Sequence, residues 1–162
     1  MSRMTRAENL SNELYNSIFG EPWYGSSAMS ILQEISVEQA FRKPIPSAHN
    51  IIELTLHVTA WIEETLSRFN GNKPSEPQIG DWPIPENKTE EYWNTVKRNL
   101  YDVTNKLISV VQKFPEEKLE KIVGGERNIP LGTGFSFEGL ILGLVQHNAY
   151  HLGQISLLKK SS

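Results

Sequence analysis

An all-α fold is predicted by three features of the chain. Apolar residues recur at helical spacing in four long stretches, capping residues stand at the heads of several of them, and proline and glycine gather in two segments between them. Four main helices with one or two short ones suggest an antiparallel bundle. No internal repeat, low-complexity tract or strong strand pattern interrupts this reading, although an isolated pair of strand residues near Ile122 or Ile129 is compatible with it. With 162 residues the chain is one domain's worth of protein, read as residues 1–162. A chain of this size buries about 70% of the surface that its unfolded state exposes, enough for a core without staples.

The elements follow in order. Ala7, Leu10, Leu14 and Ile18 share one helix face, and Thr5 with Glu8 forms a capping box ahead of them. Gly20, Pro22 and Gly25 end that helix. Ala28, Ile31, Leu32 and Ile35 make a short stripe, and Ser36 stands three residues before Gln39 as a cap for one more turn. From about Asn50 to Phe69 a long helix lines up Ile51, Leu54, Val58, Trp61, Ile62, Thr65 and Phe69, with Gly71 as its stop. From Glu90 to Phe114 another carries Tyr92, Val96, Leu100, Val103, Leu107, Val110 and Phe114, with Thr89 as N-cap and Pro115 after its end. The last runs from about Phe137 to Lys159, capped by Ser136, with Lys159 and Lys160 complementing the dipole at its C-terminus.

The two segments without helical pattern are Asn70 to Lys88, holding Pro74, Pro77, Pro83 and Pro85, and Gly124 to Gly134. Loops this long in a compact domain are disordered or serve as covers. Trp82 and Ile84 suggest that the first is pinned onto the bundle, either as a lid or as a packed crossover. Gly139, Gly143 and Gly153 interrupt the last helix and are read as points of close approach for a neighbouring helix. Trp23, Trp61, Trp82 and Trp93 are read as core or lid anchors, with Trp61 and Trp82 as candidate walls of a ligand pocket.

Composition removes several functional classes. The chain has no cysteine, which excludes disulfides, thiolate metal sites and a cysteine nucleophile. Sixteen Lys and Arg against nineteen Asp and Glu give a net charge of −3, with no basic block to serve as a nucleic-acid footprint. The apolar runs fall short of the roughly 20 residues of a membrane span. The charge-rich amphipathic opening segment does not read as a secretory signal. A cytoplasmic enzyme or binding module is the expectation.

The chemistry lies in four histidines, His49, His57, His147 and His151. His147 and His151, in HNAYHLGQI, stand four apart and therefore stack on one helix face. Two imidazoles on adjacent turns can converge on one metal at about 2 Å from each nitrogen. Two hydrogen-bonded core histidines fit the same spacing, though each then needs a partner, because an unsatisfied buried polar group costs about 1–3 kcal/mol. The H-E-x-x-H protease mechanism fails on chemistry, since the residue after His147 is Asn148, which cannot take a proton. His57 sits at the border of its helix stripe, where a ligand beside a cleft and a half-exposed surface histidine are both at home. His49 precedes that helix and reads as a capping or loop residue.

The stretch SAHNIIELTLHVTAW, the DWP at Asp81 to Pro83, Trp93 and the closing HNAYHLGQISLL together resemble the DinB/YfiT-like metal-binding bundle family. The resemblance runs from roughly Leu10 to Leu158, and its specific part is the two histidine segments in order. It implies an up-down-down-up four-helix bundle, here with long Pro/Gly-rich connecting loops, and one divalent metal held by His57, His147 and His151; imidazole ligands suit zinc, nickel, iron or copper without choosing among them. It also implies a homodimer through helix faces, for which Ile52 and Leu56, off the main stripe of their helix, are candidates unless they pack under the Pro-rich loop.

Three neutral nitrogen ligands leave the metal charge uncompensated and coordination positions open, the arrangement of catalytic sites rather than structural ones. Relatives in the family suggest transfer of a low-molecular-weight thiol to an electrophilic small-molecule substrate. Metal-assisted hydrolysis and a non-catalytic metal- or small-ligand-binding stress-response module are the alternatives. No catalytic residue is assigned by spacing. Glu64 and Gln154 are candidates to hold the ligating histidines from behind, against the plainer roles of a solvated helix face and a helix-packing amide. Tyr150 turns away from the direction of His151 on an ideal helix and is not expected to be catalytic.

Overall fold

The computed structural model describes residues 4–161. Its elements are α1 (Arg6–Ile18), α2 (Ala28–Leu32), α3 (Val37–Phe41), α4 (Ile51–Phe69), α5 (Glu90–Gln112), a 3-10 turn (Glu116–Lys118) and α6 (Phe137–Lys160). Among the described residues there is no strand, only two isolated bridges, Ile122 to Ser136 and Asn128 to Thr133. No described helix is long and apolar enough to cross a membrane.

Local chemistry explains five of the six α-helix starts among the described residues; α2, behind Ser27, has no side-chain cap. Thr5 with Glu8, Ser36 with Gln39, and Asn50 with Glu53 form reciprocal capping boxes, while Thr89 and Ser136 cap with a side-chain oxygen alone. The Asn50 cap was not expected from the pattern; its carboxylate partner, Glu53, also meets His49. Helix α5 ends at Gln112, two residues before the Phe114 that closes its apolar stripe.

The four long helices form a ring in which α1 packs on α5 and α6, and α4 packs on the same two. Leu14, Ile18, Ile52, Ile62, Leu100, Leu107 and Ile141 meet in the core between them. Trp93 is buried at the α5 end, where its Nε1–H donates to the Ile35 carbonyl at 2.9 Å and fastens the α2–α3 segment. The Gly124–Gly134 segment turns back on itself through the Asn128–Thr133 bridge. Gly134 has φ of +74°, and a Cβ there would lie 2.5 Å from the Arg127 Cα, so the turn requires glycine.

Several sequence expectations change in the folded chain. Ile52 and Leu56 are buried within the chain itself, so neither offers a face to a second copy. Trp23 anchors nothing and is fully exposed, and Ile84 is 87% exposed, leaving Trp82 as the residue that pins its loop. Gly143 and Gly153 do not mark close helix contacts, because a Cβ at either meets nothing within 4 Å. Glu64 neither faces solvent nor supports a histidine; it is buried against Arg68.

That pair ties both long loops to α4. Arg68 Nε–H donates to Glu64 Oε1 at 3.0 Å, and its remaining nitrogens donate to the Gly132 and Ser75 carbonyls at 3.1 and 3.3 Å. Ser75 in turn donates its backbone N–H to Glu64 Oε1 at 2.8 Å. A buried charge left alone is far more costly than the pair itself. Arg68→Met should therefore lose about 3–5 kcal/mol of stability in urea unfolding, as expected when one partner of a buried ion pair is removed. A loss comparable to that of an exposed pair would contradict this account.

Candidate metal centre

His57 comes from the middle of α4, and His147 and His151 from consecutive turns of α6. Helix packing brings them together across ninety residues of sequence. His147 Nε2 lies 2.9 Å from His57 Nε2 and 3.2 Å from His151 Nε2. Taking one ligand atom from each ring, the three lie within 4.8 Å of one another. His57 and His151 are buried and His147 is partly buried.

The bonds behind the rings decide which nitrogens face inward. His57 Nδ1–H donates to the Asp81 carbonyl at 2.6 Å, with an Asp81 carboxylate oxygen 3.3 Å from the same nitrogen. His151 Nδ1–H donates to Gln154 Oε1 at 3.0 Å. In their neutral forms both rings therefore turn a bare Nε2 toward His147. His147 can place at most one proton between these two acceptors, so one of its short contacts opposes lone pairs. A cation among the three nitrogens would satisfy all of them. A tetrahedral metal with bonds of about 2.0–2.1 Å holds its nitrogen ligands about 3.3 Å apart, close to the separations seen. The residues therefore fit a divalent ion, and the cluster could hold one.

Electrostatics favour the same state. Burial lowers the pKa of all three imidazoles. His147 falls furthest, to about 4, through burial first and then repulsion from His151 and His57. All three are thus neutral at pH 7, as metal ligation requires.

Two further features complete the site. Asp81 also accepts from Trp61 Nε1–H at 2.7 Å, so its carboxylate links the proline-rich loop to α4. Trp82, beside it, lies flat between two imidazoles, 3.9 Å from His57 and 3.6 Å from His49 by ring centroids. His49 is thereby a loop residue that flanks the cover without ligating. On the other side, His57 and His147 open into a cleft of about 860 Å³ between α4 and α6, roofed by residues 128–132. Trp61 lines this cleft as expected, whereas Trp82 covers the rings outside it. Of the two residues proposed to stand behind the histidines, Gln154 does so and Glu64 does not. Tyr150 is 66% exposed, with its ring edge-on to His151 at 5.1 Å between centroids.

Sequence reasoning missed Asp81 and Arg68. The DWP triplet marked the position of Asp81 without its role. A charged Glu64–Arg68 pair at i, i+4 on an otherwise apolar helix was a readable signal for the other.

Residues 26–155 match the family described as the DinB superfamily. No curated protein and no solved structure matches the chain.

The depressed imidazoles make metal-free stability depend on pH. His147 binds its proton near pH 4 when folded and near 6.5 when unfolded, so the unfolded state holds more protons between these values. The contribution is complete above the unfolded value and is lost as pH falls toward 4. The urea midpoint of chelated protein should therefore be lower at about pH 5 than at about pH 7.5, and the drop should shrink in His147→Asn. An unchanged drop in that variant would show that His147 is not the group responsible.

Proposed function

The chain belongs to the DinB superfamily, and from that premise we propose that it is a metal-dependent enzyme that transfers a low-molecular-weight thiol to an electrophilic small molecule. The whole chain, 1–162, is read as one up-down-down-up bundle domain working in the cytoplasm. His57, His147 and His151 hold the metal, which is zinc, nickel or iron. The observation that carries the reading is the convergence of three neutral imidazoles at the end of an open cleft.

When bound, the ion supplies the positive charge that favours thiolate over thiol near neutral pH. The remaining work belongs to the chain. The Asp81 carbonyl and Gln154 fix two ring orientations, so that Nε2 of His57 and of His151 point inward without rearrangement. Trp82 excludes water from one side of His57 by stacking. The α4–α6 cleft leaves the other side open to substrate. In the reaction a sulfur–carbon bond forms at the electrophile, its bond to the leaving group breaks, and the thiol proton passes to solvent.

Metal-assisted hydrolysis is the second reading, favoured by Glu76, a carboxylate on the cleft wall. The Asp81 carboxylate is already committed to Trp61 and lies against His57, which supports the thiol reading over it. A homodimer belongs to the same proposal. With Ile52 and Leu56 buried, the apolar face available to it is Leu142, Tyr150 and Leu157, exposed along one side of α6.

Elemental analysis of protein purified without a tag or chelator should give about one divalent ion per chain, the stoichiometry of a single three-histidine site. His57→Ala and the His147→Ala/His151→Ala double variant should each lose most of it while helical circular dichroism survives. Metal-loaded protein should then accelerate arylation of a thiol by 1-chloro-2,4-dinitrobenzene. Metal binding with hydrolysis of 4-nitrophenyl acetate and no thiol transfer would favour the second reading. Absence of metal from every sample, with no uptake of zinc or nickel, would overturn both. Sedimentation equilibrium should give twice the chain mass, and Leu157→Glu should return the monomer; a monomeric wild type would remove the dimer from the proposal.

A further inference from the structure

The cleft beside the histidines is lined in a way that selects its occupant. Its volume of about 860 Å³ falls within the roughly 300–1,000 Å³ of small-molecule sites. Leu140 and Leu144 of α6, Trp61 of α4, and Ile129 and Leu131 of the roof supply apolar walls. Several of the polar groups among them are already engaged within the protein. The Thr65 hydroxyl donates to the Trp61 carbonyl at 2.8 Å. Asn128 Oδ1 accepts from the Leu131 N–H at 3.2 Å. Arg68 spends three of its nitrogens on Glu64, Ser75 and Gly132, and its charge is balanced by Glu64.

Charge points the same way. The carboxylates on the lining are Glu76 and Asp81, which repel an anion. Gly139 and Gly143 stand one turn apart on the α6 wall, two turns and one turn before His147 respectively. A Cβ at Gly143 would project into open space, with no heavy atom within 4 Å. Glycine there keeps the cleft wide beside the histidines, at the expense of about 1 kcal/mol of helix propensity relative to alanine.

We propose that this cleft binds an uncharged, apolar aryl or alkyl molecule along the Gly139–Gly143 wall, with its reactive end at His57 and His147. The assignment rests on the metal-dependent reading above for its chemistry, and on the lining alone for its selectivity. It makes the electrophile an apolar compound, in contrast to a phosphorylated or carboxylated metabolite, whose charge would find no cationic partner along the Gly139–Gly143 wall.

The test uses two fluorescent probes with the same aromatic skeleton, uncharged N-phenyl-1-naphthylamine and its sulfonated analogue 8-anilinonaphthalene-1-sulfonate. The uncharged probe should saturate at one site per chain, and the sulfonate should bind about tenfold more weakly or worse, since along the Gly139–Gly143 wall its charge would be desolvated without a partner. Gly143→Leu fills the cleft while replacing glycine by a better helix former, so it should fold at least as stably as the wild type. It should keep zinc uptake and lose about tenfold or more in affinity for the uncharged probe, because a leucine side chain occupies the probe's volume. Equal affinity for the two probes, or a folded Gly143→Leu protein that binds the uncharged probe like wild type, would overturn the assignment. Zinc uptake is read on the same samples. Zinc bound with no probe binding removes the cleft assignment alone. Probe binding lost in Gly143→Leu with no zinc uptake removes the metal reading and leaves the cleft assignment standing.

Discussion

The Nδ1–H of His57 is donated to the carbonyl of Asp81 at 2.6 Å, and this bond sets which nitrogen of the ring faces α6. It joins three parts of the chain that are otherwise held separately: the α4 helix, the proline-rich loop and, through Nε2, the histidine pair of α6. Without it the imidazole could turn over, and the inward set of lone pairs would lose a member. The Asp81 carboxylate strengthens the same junction by accepting from Trp61, one turn along from His57. Trp82 closes the ring from above.

The prolines of the loop that delivers Asp81 lack amide donors, so its own backbone bonding near that residue is limited to turns such as Gly80 N–H to the Pro77 carbonyl at 2.8 Å. The loop is held by side chains of α4. Ser75 is bonded to Glu64 and Arg68, and Arg68 reaches across to Gly132 in the second loop. One buried ion pair thus fixes the entry of the proline-rich loop and the roof of the cleft together. Such a pair is no guarantee of stability by itself, but its geometry is specific. The same α4 helix carries His57, Trp61, Glu64 and Arg68 on successive turns of one face, and it is buried on nearly every side.

The centre and the cleft differ in what their polar groups are left to do. At the cleft, the Thr65 hydroxyl, the Asn128 Oδ1 and the Arg68 guanidinium are engaged within the protein beside apolar walls. At the histidines, nitrogens remain directed at one another, with burial and mutual repulsion keeping them unprotonated. Strong interaction is thereby concentrated at one end of the cavity. This division suits the proposed activation of one small group beside an apolar partner.

Much of the fold was legible in the sequence because its signals are local. Helix spacing and capping residues placed α1, α4, α5 and α6 to within about two residues at each end, the usual scatter of helix boundaries. The i, i+4 spacing of His147 and His151 likewise needed nothing beyond one helix. His57 became their partner only through the packing of α4 on α6, since spacing alone left it as a border histidine; family resemblance supplied the link that periodicity could not. The roles of Asp81, Trp82 and Arg68 were decided by tertiary structure, because a loop rich in proline carries no periodic signal for where it will land. Burial of Ile52 and Leu56, and the open space beside Gly143, depended on what those loops and α6 leave covered or bare. Local propensity and pattern determined the helices and one half of the centre. Contacts between residues distant in the chain determined the other half, the tautomers, and the cleft, because these arise where separate elements meet.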